Sequence, residues 1–148
     1  MHEFLEHLKE DHEKQKKLGK QLYSTADPDT RNRLRKEFYV ELYPHIIGEE
    51  ASMFKRLKDS ENEEIRDDSM EGLQEHHVSK IVLRELMEIE TGGDLFKAKA
   101  KVLDELNRHH IEEEEEDVFK HLQNVCSTEE LSELFEAYET AEENAKKE

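Results

Sequence analysis

The sequence repeats part of itself, and that repeat limits the folds open to it. Displaced by 65 residues, His45-Ile-Ile-Gly-Glu-Glu-Ala-Ser-Met-Phe-Lys-Arg-Leu57 falls on His110-Ile-Glu-Glu-Glu-Glu-Glu-Asp-Val-Phe-Lys-His-Leu122, and seven of the thirteen positions are identical. The same displacement puts Leu8 on Leu73, His12 on His77 and Leu18 on Leu83. A unit used twice in one short chain builds two halves related by a pseudo-twofold axis. At 148 residues the chain is the length of one domain, so both copies must share a core.

Helix start and stop signals identify the repeated unit as a helical hairpin. Asp27-Pro28 places a capping side chain before a proline at the first helical position. Ser60-Glu61-Asn62-Glu63 and Ser127-Thr128-Glu129-Glu130 have capping-box spacing, and Gly92-Gly93-Asp94 joins a helix stop to a new start. These signals predict helices near 3–24, 28–59, 61–91, 94–125 and 128–145. Connections of a few residues make consecutive helices antiparallel neighbours. The expected fold is all-α: a single domain over 1–148, with an up-down-up-down four-helix bundle over 1–125. A short fifth helix should pack across one end through Leu131, Leu134, Phe135 and Tyr138.

Polar residues interrupt the stripes that should face the core. The second helix reads Phe38, Leu42, His45, Glu49, Met53, Leu57, and the fourth reads Leu103, Leu106, His110, Glu114, Val118, Leu122. The first gives Leu5, Leu8, His12 and Leu22; the third gives Met70, Leu73, His77 and Ile81. Counted from the turns, the polar members lie at similar depth, to within one or two helical turns. Four imidazoles and two carboxylates should therefore converge near mid-bundle, with no Lys or Arg on the stripes. A buried carboxylate costs several kcal/mol unless it is paired or bound to a metal. His and Glu four residues apart offer both donors on one side of a helix. Two such helices supply a ligand set for a pair of first-row transition metals; imidazole with carboxylate suits iron, and the residues separate iron from manganese poorly. In the repeat register His76 and His109 align with Asp11 and Pro44, so neither is expected to be a matching ligand.

These motifs resemble a known family. His, three residues, Glu-Glu, two residues, an aliphatic residue or Met, then Phe occurs at His45–Phe54 and His110–Phe119. This pattern, with Leu8-Lys-Glu-Asp-His12, resembles the hemerythrin-like HHE cation-binding domain over about residues 1–125. The resemblance implies a non-haem di-iron centre, oxo- or hydroxo-bridged, in a four-helix bundle. Its metal ligands would be His12, His45, Glu49, His77, His110 and Glu114. Oxygen-carrying members have a second histidine four residues after the third-helix ligand and an Asp as the last carboxylate. Here those places hold Ile81 and Glu114. The set is more similar to bacterial HHE proteins, some linked to repair of iron centres, and to an F-box iron-sensor domain.

Charge and composition narrow the function. The net charge of −17 repels phosphate backbones and anionic lipid, which argues against nucleic acid and membrane partners. Only 34% of residues are apolar and one cysteine, Cys126, is present, so neither a large core nor an internal disulfide supports the fold. The charged N-terminus is unlike a signal peptide, which gives a cytoplasmic expectation. The expected activity is binding of a small diatomic or peroxo ligand for sensing, scavenging or iron handling. The rival is a di-iron enzyme that consumes peroxide or reduces nitric oxide.

Overall fold

A computed structural model describes all residues, 1–148. Five helical rods make up the chain, two of them interrupted. The first is α1, Glu3–Ser24; the second is α2, Pro28–Ala51, continued beyond Ser52 by α3, Met53–Leu57. The third is α4, Glu63–Glu88. The fourth is α5, Asp94–Glu113, which passes through a π-helical turn, Glu114–Val118, into α6, Phe119–Val125. The fifth is α7, Thr128–Lys146. No helix is long and apolar enough to cross a membrane.

The caps follow the sequence with one shift. Asp27 accepts the Thr30 N–H and Ser127 accepts the Glu130 N–H, closing the first turns of α2 and α7. Gly93 has φ +95°, a left-handed conformation that glycine adopts without steric cost. The third rod starts at Glu63 rather than at 61, because the Asn62 side chain, not Ser60, caps it by accepting the Ile65 N–H. The second rod does not run unbroken to 59. Ser52 Oγ donates back to the Gly48 carbonyl at 2.7 Å, and the helix breaks there. The π turn in the fourth rod begins at Glu114, so both repeated helices lose regular α geometry at the glutamate of their His and Glu pair or within three residues after it.

α1 packs beside α2 and α5, and α4 packs beside the same two helices, which closes a four-rod bundle. α7 lies along the side of α2 and touches α1, rather than packing across one end as expected, because Gly48 leaves room on α2 for the Tyr138 ring. The apolar core is in two parts. One, toward the α7 end, centres on Phe4, Leu8, Phe54, Phe119 and Tyr138. The other, toward the connections 25–27 and 89–93, centres on Leu22, Phe38, Leu42, Phe96 and Leu103. The polar residues of the stripes fill the level between them.

The buried face of α4 differs from the expected one. Met70 and Ile81 are 45% and 46% exposed. The buried residues are Ile65, Ser69, Gly72, His76, Ser79, Leu83 and Leu86. In α1 the buried positions 5, 8, 12, 15, 19 and 22 lie 64 residues before 69, 72, 76, 79, 83 and 86. The first and third rods are thus related by 64 residues, although the second and fourth are related by 65. The five-residue connection 89–93, against three residues at 25–27, absorbs the difference.

Candidate metal centre

α1 contributes His12, α2 His45 and Glu49, α4 His76, and α5 with its π turn His110 and Glu114. All six are at most 5% exposed. They form two groups of donor atoms, His12, His45, Glu49, Glu114 and Glu49, His76, His110, Glu114, and within each group all donors lie within 4.8 Å of one another. The two carboxylates belong to both groups.

Glu49 divides its oxygens between the histidine pairs. Oε2 lies 3.0 Å from His45 Nε2 and 3.5 Å from His12 Nε2. Oε1 lies 3.0 Å from His76 Nε2 and 3.8 Å from His110 Nε2. Glu114 does the same, with Oε1 3.3 Å from His12 Nε2 and Oε2 2.9 Å from His110 Nε2. His76 Nε2 and His110 Nε2 are 3.0 Å apart. Despite these approaches, His12 Nε2, His45 Nε2, Glu49 Oε2 and both Glu114 oxygens have no hydrogen-bond partner. These five atoms crowd around shared centres without aligning on one another, whereas His76 Nε2 is hydrogen-bonded to Glu49 Oε1.

The opposite ring nitrogens are all held by carboxylates. His12 Nδ1 is 2.7 Å from Glu115, His45 Nδ1 3.1 Å from Asp11, His76 Nδ1 3.1 Å from Glu50 and His110 Nδ1 2.8 Å from Glu75. Burial pushes these four carboxyls up, but the histidine each one holds, together with neighbours such as Tyr138 at Asp11 and Lys80 at Glu50, leaves their pKa values below the ordinary range. An ionised carboxylate only accepts, so each Nδ1 carries a proton, and in the neutral imidazole it is Nε2 that faces inward with its lone pair. Carboxylates behind histidines in this way fix the tautomer of metal-binding imidazoles. Tyr138 of α7 extends one of these links, with its hydroxyl 2.8 Å from Asp11 Oδ2 and 2.9 Å from His45 Nδ1.

The electrostatics of the cluster call for positive charge. Burial pulls His45 down, yet the charge of Glu49 and the bonds with Asp11 and Glu49 raise it to about 9. His12 and His110 are likewise lifted well above their usual value against burial, chiefly by Glu114. Burial pushes Glu49 up, but His45 and the other imidazoles hold it well below the usual carboxylate range. Protons on Nε2 can supply the missing charge, and so can cations. Two nitrogens at ~2.1 Å from one first-row ion, at right angles, would be ~3 Å apart, as His76 and His110 are. The residues therefore fit metal binding, with two donor groups that share two carboxylates.

Of the six residues expected from the sequence, the structure brings five together: His12, His45, Glu49, His110 and Glu114. It does not bring in His77, which is exposed on the outer side of α4. His76 stands in its place. The repeat register failed by one residue on this helix, because Ser69, Gly72 and Ser79 carry little hydrophobic signal and Met70 and Ile81 drew the stripe to the wrong side. A usable signal was the acid–His dipeptide, Asp11-His12 and Glu75-His76, which recurs at 64 residues. The outer carboxylates Asp11, Glu50, Glu75 and Glu115 were also missed, although each is adjacent in sequence to a residue of the cluster.

The chain matches the family profile of the hemerythrin HHE cation-binding domain over residues 3–122. It is 26% identical over 129 residues to an uncharacterised hemerythrin-like protein of Schizosaccharomyces pombe, across 87% of this chain and 64% of that protein. The chain thus spans a little under two thirds of that relative's length. No solved structure gives a significant match.

Proposed function

On the premise that the chain belongs to the hemerythrin HHE cation-binding domain family, we propose that it holds two iron ions and uses them to bind a small ligand: oxygen, nitric oxide or peroxide. His12 and His45 would hold one ion and His76 and His110 the other, with Glu49 and Glu114 offering an oxygen to each. The observation that carries this reading is the division of Glu49 and Glu114, each with one oxygen toward either histidine pair. Imidazole and carboxylate without thiolate suit iron; Cys126 lies at the C-terminal end of α6, outside both donor groups.

Iron in this setting supplies a redox-active centre with coordination positions open to a small exogenous ligand. The chain's own part is to keep four imidazoles in one tautomer through Asp11, Glu50, Glu75 and Glu115, and to exclude bulk water. Ile81, expected to lie against the pocket, is on the surface. The residue one turn beyond His76 is Lys80, whose ammonium donates to Glu50 at 2.8 Å. That position supplies no fifth imidazole, and this favours sensing, scavenging or iron handling over reversible oxygen carriage.

Metal analysis of protein made under iron-replete conditions tests the reading, with an optical spectrum taken before and after nitric oxide or peroxide. The expected result is about two irons per chain and a spectrum that changes with the added ligand. Full occupancy by a single zinc, with no iron retained, would overturn it.

A further inference from the structure

The pseudo-twofold axis relates two approaches to the cluster, and the chain treats them oppositely. Around His45 the flanking positions are Phe4, Leu8, Gly48, Ser52 and Met53, and α7 lies over them. A Cβ at Gly48 would meet the Tyr138 ring at 2.6 Å, so the glycine is what lets α7 seat there. Around His110 the equivalent positions are Asp68, Gly72, Glu113, Asp117 and Val118, and no helix covers them. A cavity of about 100 Å³ opens there instead, between α4 and the π turn. Exposed Glu71 and Asp117 stand at its mouth, partly buried Asp68, Glu75 and Glu113 lie along it, and His110 and Glu114 close its inner end.

The other half has Phe4, Gly48 and Ser52 where this half has Asp68, Glu113 and Asp117, so the repeated hairpin does not need carboxylates at these three positions in order to fold. No Lys or Arg is ion-paired with any of its acids, whereas Glu50, Glu13 and Glu37 on other faces each have one. Histidines approach three of them, His121 at 2.7 Å from Asp68 and His109 at 2.9 Å from Glu113 and 3.7 Å from Glu75, and Glu71 and Asp117 at the mouth have no partner. Glu114, 1% exposed, lines the inner end with neither carboxylate oxygen hydrogen-bonded. A row of carboxylates running from solvent to such a group draws cations inward.

We propose that this cavity is the path by which divalent cations reach the buried centre, with Glu71, Asp117 and Glu113 as a transit site. The proposal rests on reading the cluster as a metal centre. The carboxylates at the mouth exchange oxygen ligands quickly and hold an ion weakly; the imidazoles within hold it more tightly, so the ion moves down the path and stays.

The test follows Co2+ uptake by the metal-free full-length chain in a stopped-flow instrument at low salt, with stoichiometry measured at the end point. The double variant E71Q/D117N is compared with wild type and with E133Q/E136Q, which removes the same charge from exposed positions on α7. The expected result is uptake at least about fivefold slower in E71Q/D117N alone, with the slowing lost at high salt and stoichiometry unchanged. Equal rates in all three proteins, or equal slowing in both variants, would overturn the path. A lowered stoichiometry in E71Q/D117N would make these residues part of the final site and also overturn the transit role. Wild-type chain that takes up no cobalt at any time would remove the metal centre itself, and the path with it.

Discussion

His76 and His77 are neighbours with opposite environments, one 1% exposed among Glu49, Glu50 and His110, the other on the surface. The direction of one side chain, about 100° around the helix from the next, decides which of them can meet the cluster. His76→Ala is expected to lose metal content and change the optical spectrum, whereas His77→Ala should leave both at the wild-type level; metal analysis of the two variants checks this. A second expectation concerns protons. In metal-free protein, imidazolium at His45 stabilises the fold because its pKa is raised from about 6.5 to about 9. A raised pKa gives stability that is complete below the unfolded value and lost as pH rises through the folded one. Melting of the metal-free chain should therefore fall between about pH 6.5 and 9. With metal in place of those protons the fall should disappear, and a flat metal-free profile over that window would contradict the assignment.

At the scale of helices, α4 shows how packing overrides local pattern. Gly72 occupies the place that Leu8 holds in α1, and the missing side chain makes room for Phe54, which is fully buried. In an exposed helix, Gly→Ala would stabilise by about 1 kcal/mol. Here a Cβ would sit 2.6 Å from Phe54 Cε1 and 2.8 Å from Cζ, with His110 Cε1 at 3.7 Å behind. The ring has little space to retreat, so overpacking should win. Gly72→Ala is expected to destabilise by about 1–3 kcal/mol in denaturant unfolding. An unchanged or higher midpoint would show that the ring yields easily. The interruptions at Ser52 and at the π turn belong to the same scale: one lies three residues past Glu49 and the other starts at Glu114, where the rod must serve the cluster before it returns to packing.

The whole molecule is a bundle whose apolar core is split by a polar level. Its 34% apolar content leaves little surplus to offset the cost of burying six polar side chains, five of whose inward-facing atoms have no hydrogen-bond partner. Binding energy from the metal centre is then folding energy. Stripping metal with a chelator should lower Tm by about 10 °C or more, given that 1 kcal/mol shifts a chain of this size by about 2–4 °C. Equal melting of stripped and loaded protein, read by circular dichroism, would count against a metal-dependent fold. Helix number, the turn positions and five of the six central residues were legible in the sequence because caps, prolines, glycines and the 3.6-residue period act within a few residues of chain. The face of α4 was not. Its buried stripe is mostly small and polar, and what makes it a core face is Phe54, His110 and Glu49 arriving from elsewhere in the chain. The carboxylates behind each histidine, the uncovered acidic cavity and the seat of α7 over Gly48 depend in the same way on contacts between residues distant in sequence. Local propensity fixed where the helices are; only the packing of one helix on another decided which way each of them faces.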